Sequence, residues 1–138
     1  MISEELISAY KQTDYNVSSS PPFTLKIGQF SDELIDLYKL YGFTTAAYIT
    51  AYNPYSKETT GVQNELAQSD LERELASRSL IFLQGEGKDT EGRWSAEKSV
   101  LILGIDYSAA EKLAVKYRQN AFVWINSDGV PELVLVKL

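Results

Sequence analysis

The chain contains no cysteine and no histidine. The first absence excludes disulfides, thiolate catalysis and cysteine-ligated zinc. The second removes the imidazole as acid, base and metal ligand, and with it any Ser-His relay. Catalysis would therefore fall to carboxylates, lysine, tyrosine or a hard metal held by oxygen, and the reading leans away from an enzyme. Basic residues are also sparse: 13 Lys and Arg stand against 19 Asp and Glu, a net charge of −6. No basic cluster is longer than a pair, so binding to bulk nucleic acid through its phosphates is not expected. No apolar run approaches the length of a membrane span. The start, Met1-Ile2-Ser3-Glu4-Glu5-Leu6, has neither the basic nor the apolar region of a signal peptide, so a cytoplasmic protein is expected.

What is present is ordinary for a globular domain: 138 residues, 44% hydrophobic and 23% charged. That length reads as one domain, 1–138, able to bury roughly two-thirds of its unfolded surface.

Phe43–Tyr52 is β-branched, aromatic and small, without a charge, which is the composition of a strand buried on both faces. Pro54 ends it by removing a backbone donor and holding Asn53 extended. Thr50, Asn53, Tyr55 and Ser56 are thereby delivered to one rim of a sheet. Around this strand the chain predicts four helices. They are a short one capped by Ser3, one capped by Ser31 and closed by Gly42, one from about Val62 to Ser77, and one begun by the capping box Ser108–Glu111. Strands are predicted at Phe23–Ile27, Leu80–Leu83, Lys98–Gly104, Ala121–Ile125 and Glu132–Val136. Lys88–Arg93 and Asn126–Gly129 read as hairpin tips. The fold class is α+β, with a mixed β-sheet of about six strands and about four helices packed on it.

Several of these blocks resemble a known family. Leu25-x-Ile27-Gly28-x-x-Ser31, Ile49–Ser56, Asn64 and Gln119-Asn120-Ala121-x-Val123-Trp124 are similar to an uncharacterised bacterial family of small domains of unknown function. The resemblance runs from about Tyr10 to Leu135. Its specific parts are the Thr-Ala-x-Asn-Pro-x-Ser and Gln-Asn-Ala blocks. Members of that family often carry glycine before the Gln-Asn pair, where this chain has Arg118. The resemblance supports the position of the polar blocks and implies no reaction and no cofactor.

A candidate ligand site follows from convergence. Thr50, Asn53, Tyr55 and Ser56 lie where one buried strand exits, and Asn64 points inward from the helix that follows. Gln119 and Asn120 stand where another buried strand begins. If the two strands are antiparallel, both polar groups reach one edge of the sheet. The expectation is an amide-lined pocket for a small polar ligand, such as a nucleotide or another phosphate-bearing metabolite. The bland alternative is that these amides cap helices and close turns. A protein-interaction module is the second reading: an inhibitor-like or immunity-like domain whose acidic surface masks a basic partner. The third is a hydrolase using Glu86 and Glu97 as paired acids across a hairpin mouth, with Mg²⁺ or as proton carriers. No metal site is otherwise indicated.

Overall fold

Short polar residues start most of the helices. The computed structural model describes residues 2–136. Ser3 accepts a hydrogen bond from the Leu6 amide and opens α1 (Glu4–Gln12), as its position before two acids predicts. β1 (Asp14–Val17) and β2 (Phe23–Leu25) follow. Ser31 then caps α2 (Asp32–Tyr41), which Gly42 closes in the left-handed region at φ 77°. The uncharged stretch forms β3 (Ala46–Thr50), buried on both faces as its composition requires. A tight 3-10 turn, Pro54–Ser56, leads to α3 (Gly61–Ser77). β4 (Ile81–Lys88) and β5 (Glu97–Leu103) form a hairpin, then come α4 (Tyr107–Lys116), β6 (Ala121–Ile125) and β7 (Pro131–Leu135).

The seven strands make one sheet in the order β2-β1-β4-β5-β3-β6-β7, and every neighbouring pair is antiparallel. The α+β class stands, whereas the sheet is antiparallel throughout rather than mixed and has seven strands rather than six. The extra strand is β1. Its four residues, Asp14-Tyr15-Asn16-Val17, alternate polar and apolar and bury Tyr15 and Val17, but the run is short, and it forms a strand because β4 offers it an edge. The same pairing explains why β4 does not stop at Leu83. It continues through Gln84–Lys88, where β1 pairs residue for residue with Gly85–Lys88. A third correction concerns α4. Asp106, not Ser108, is its N-cap, accepting from the Ala109 amide at 2.7 Å, so the helix begins one residue before the expected capping box.

Both faces of the sheet are covered. On one face Ile49, Val100, Ile102 and Phe122 pack against Leu71 and Leu75 of α3 and Leu113 of α4. On the other, Tyr48, Leu101, Leu103, Val123 and Ile125 pack against Leu34 and Tyr38 of α2. Side chains alternate along a strand, so residue parity assigns each to a face. Tyr41, the last residue of α2, is exposed. No helix among the described residues is long and apolar enough to cross a membrane.

Candidate functional site

The antiparallel pairing of β3 with β6 sets Ala46 opposite Ile125 and Tyr48 opposite Val123. The end of β3 therefore lies beside the start of β6, and the two polar blocks meet. The Tyr55 amide donates to the Arg118 carbonyl at 2.6 Å. Gln119 Nε2 donates to the Tyr52 carbonyl at 3.0 Å and to the Tyr117 carbonyl at 3.1 Å. Asn120 Nδ2 donates to Ser56 Oγ at 3.0 Å. Arg118 itself sits at φ 57°, the left-handed residue of a helix C-terminal motif in which the Gln119 amide bonds the Ala114 carbonyl and the Arg118 amide that of Val115. Glycine adopts that conformation without strain, whereas arginine does not.

Asn53 is the centre of the joint. Its φ of 47° is left-handed, a region that asparagine tolerates better than most residues. This corrects the expectation that Pro54 holds it extended. Its amide donates to Asn64 Oδ1 at 2.9 Å, and Asn64 Nδ2 returns a bond to Asn53 Oδ1 at 2.9 Å. Asn53 Oδ1 also accepts from the Thr59 amide at 3.2 Å, and Asn53 Nδ2 donates to Glu97 Oε2 at 2.7 Å. Tyr55 and Ser56 follow at φ 55° and 62°, so three non-glycine residues of this turn are left-handed. Thr50 Oγ1 donates to the Lys98 carbonyl at 2.6 Å and closes the strand end.

Beside this joint, on the face that carries α2, lies a cavity of about 110 Å³. Leu6 and Tyr10 of α1 cover it, Tyr15 and Tyr48 form its aromatic wall, and Trp94 borders it from the β4–β5 connection. Tyr10 and Trp94 meet edge to face, with ring centroids 6.5 Å apart, and Tyr15 meets Tyr48 in the same way at 5.3 Å. Tyr10 OH hydrogen-bonds Ser56 Oγ, which ties α1 to the Asn53 turn. The loop bearing Trp94 is fastened by Asp89, whose buried carboxylate takes the amides of Glu91 and Arg93 and two guanidinium nitrogens of Arg93. Arg93 beside it lowers the Asp89 pKa to about 2.

Of the residues expected to form the site, Thr50, Asn53, Ser56 and Gln119 line the cavity. Asn64 is buried behind Asn53, Asn120 stands behind Ser56, and the Tyr55 ring is exposed. The amides of Asn53, Asn64, Gln119 and Asn120 are thus engaged with other protein groups, holding the two blocks together and leaving the wall to aromatic rings. Tyr10, Tyr15, Tyr48 and Trp94 were not singled out for this role. Tyr15 belongs to a strand whose polar/apolar alternation spans only four residues, which was the one local signal for it, and nothing local indicates that α1 covers the end of β3.

Glu97 and Glu86 do not form a pair. Glu97 is in register with Gly87, and Glu86 with Lys98, so the two acids point to opposite faces of the sheet. Among the described residues no group of three or more Asp, Glu, His or Cys could hold a metal ion. Glu97 instead stands in the cavity. Burial pushes its carboxyl up to about 7, against the lowering effect of the Asn53 hydrogen bond. Burial also raises Tyr10, with Glu97 adding in the same direction and Ser56 opposing.

A small antiparallel α+β domain with one polar joint beside an aromatic cavity is the class defined so far. The chain belongs to the family described as "Protein of unknown function (DUF3293)", whose model matches residues 49–122. The match takes in both polar blocks, Trp94 and Glu97, while α1, β1 and α2 lie before it. No curated protein and no solved structure matches the chain.

Proposed function

We propose that this chain is a small-ligand-binding domain whose site is the cavity between α1, Trp94 and the ends of β3 and β5. The carrying observation is a space of about 110 Å³ that couples an aromatic wall to a half-buried carboxylate held by Asn53. The size narrows the ligand. An apolar cavity of roughly 150 Å³ takes a benzene, so this one takes about four or five non-hydrogen atoms, or that much of a larger molecule. A whole nucleotide is too large, and no Lys or Arg lines the space to meet a phosphate. We therefore narrow the expected polar ligand to a compact organic molecule. A cytoplasmic setting and a regulatory use of the binding are part of the same proposal.

A fragment screen by thermal shift tests it, with Gly87→Val as the control. A Cβ at Gly87 meets nothing closer than 3.9 Å, its nearest neighbours being Ser99, Glu97 and Thr13, so valine fits the strand and narrows the cavity. Compact fragments should raise the melting temperature of the native protein and not that of the variant, and nucleotides should shift neither. Shifts that persist in Gly87→Val would contradict the assignment.

A second reading is an acidic protein-interaction module. It is supported by the net charge of −6 and by Tyr55, which the turn holds exposed next to the polar joint. A basic partner that binds native protein but not Tyr55→Ala would favour it.

A further inference from the structure

The lining of the cavity carries a preference of charge as well as of size. The hydroxyls of Thr13, Tyr15, Tyr48, Thr50 and Ser99 all donate to main-chain carbonyls, at distances from 2.6 to 3.0 Å. Those side chains present rings, methyl groups and spent hydroxyls to the interior. Glu97 differs. Its Oε2 accepts from Asn53, and among the described residues its Oε1 has no hydrogen-bond partner. Glu58 adds a second acid on the exposed side of the lining, and no basic side chain lines the space. Arg93 stacks 5.7 Å from the Trp94 ring centre, but its guanidinium is engaged by Asp89 and Glu91. Glu97 Oε1 is thus open to the space rather than sealed in the core, and it favours a hydrogen-bond donor with positive charge, next to electron-rich ring faces.

We infer that the cavity takes a compact organic ammonium group, a primary amine or a methylated one, with its N–H directed at Glu97 Oε1 and its carbon substituents against Tyr10, Tyr15, Tyr48 and Trp94. This rests on the cavity being a ligand site and names the chemistry of what enters it. A carboxylate that burial leaves half-protonated near neutrality is deprotonated when the cation arrives, so binding tightens with pH. The titratable groups facing Glu97 are Tyr10 from α1, Tyr15 from β1, Tyr48 from β3, and Tyr52 and Glu58 from the turn. Tyr10, Tyr15, Tyr48 and Tyr52 are shifted upward and stay neutral over the range concerned.

The test is a titration of the native chain with trimethylammonium and, separately, with tert-butanol as a neutral donor of similar size. It is followed by the indole N–H resonance of Trp94, with that of Trp124 as the internal control because Trp124 is bonded to Asn126 elsewhere in the fold. The expected result is a Trp94 response to trimethylammonium that tightens about tenfold from pH 6 to pH 8, as a site titrating near 7 requires. Glu97→Gln should weaken binding at least tenfold at pH 8. Should that variant not fold, the pH series on native protein decides alone. Tert-butanol binding as well as the cation, or binding indifferent to pH, overturns the ammonium assignment and leaves the cavity reading standing. No response to either compound, and none to compact fragments, overturns both.

Discussion

Asn53 Nδ2 donates to Glu97 Oε2 at 2.7 Å, and this bond joins the turn after β3 to the first residue of β5. The same asparagine exchanges two bonds with Asn64 on α3. One side chain thus couples the sheet, a helix and the one carboxylate among the described residues that burial raises to near neutrality.

Replacing Asn53 by alanine removes the bonds to Glu97, Thr59 and Asn64 Nδ2 while keeping the left-handed backbone that alanine tolerates less well. Removing one partner from a buried polar network leaves the others unsatisfied, so the expected loss is about 2–4 kcal/mol. Urea unfolding measures it. A change under about 0.5 kcal/mol, the range of an ordinary surface substitution, would show that the network is not structural.

The raised Glu97 carboxyl makes stability depend on pH, and the sign is definite. Its pKa is higher in the folded protein, about 7, than its ordinary 4.5, so the folded state holds the proton more tightly. The contribution is fully present below about 4.5 and is lost as pH rises through 7. The difference amounts to about 3 kcal/mol. Glu97→Gln should flatten that slope and be the more stable form at pH 8, as read from unfolding curves between pH 5 and 8.

Gly85 cannot accept a side chain. A Cβ there would collide with the Asn16 carbonyl and come within 2.8 Å of Tyr48 OH, which itself donates to Asn16. Gly85→Ala should therefore push β1 from β4 and cost about 1–3 kcal/mol, the range for overpacking. Faster hydrogen exchange confined to β1, β2 and the second half of β4 would be its signature. Exchange that rises equally over the whole sheet would contradict it.

Arg118 offers the opposite case. Its left-handed conformation ends α4 and presents the carbonyl that Tyr55 bonds. Glycine removes the steric penalty there, so Arg118→Gly should raise stability by about 0.5–1 kcal/mol, checked by thermal and urea unfolding. A loss of stability would mean that the arginine side chain contributes something the backbone does not reveal.

Local chemistry made much of this legible. Ser3, Ser31 and Gly42 mark helix ends because capping is settled within a few residues, and the uncharged run before Pro54 marks a strand buried on both faces. The meeting of the Tyr52–Ser56 segment with Gln119 and Asn120 could be anticipated because two apolar strands ended in amides. What the amides do there could not. Whether Asn64 faces a ligand or Asn53 depends on a turn with three left-handed residues, which no periodicity encodes. The aromatic wall was hidden for a related reason. Tyr10 and Tyr15 reach the cavity only because β1 adds to the edge of β4, a pairing made across some 70 residues of chain. Glu97 was noticed as half of an acid pair, and strand parity separates it from Glu86.

The most direct measurement is the titration of Glu97 by its carboxyl carbon resonance in the native chain, alone and with trimethylammonium. The account predicts a midpoint near 7 in the free protein, falling by at least one unit when the ligand is bound, with the bound state reported also by Trp94. A midpoint near the ordinary 4.5 that the cation leaves unmoved would contradict it.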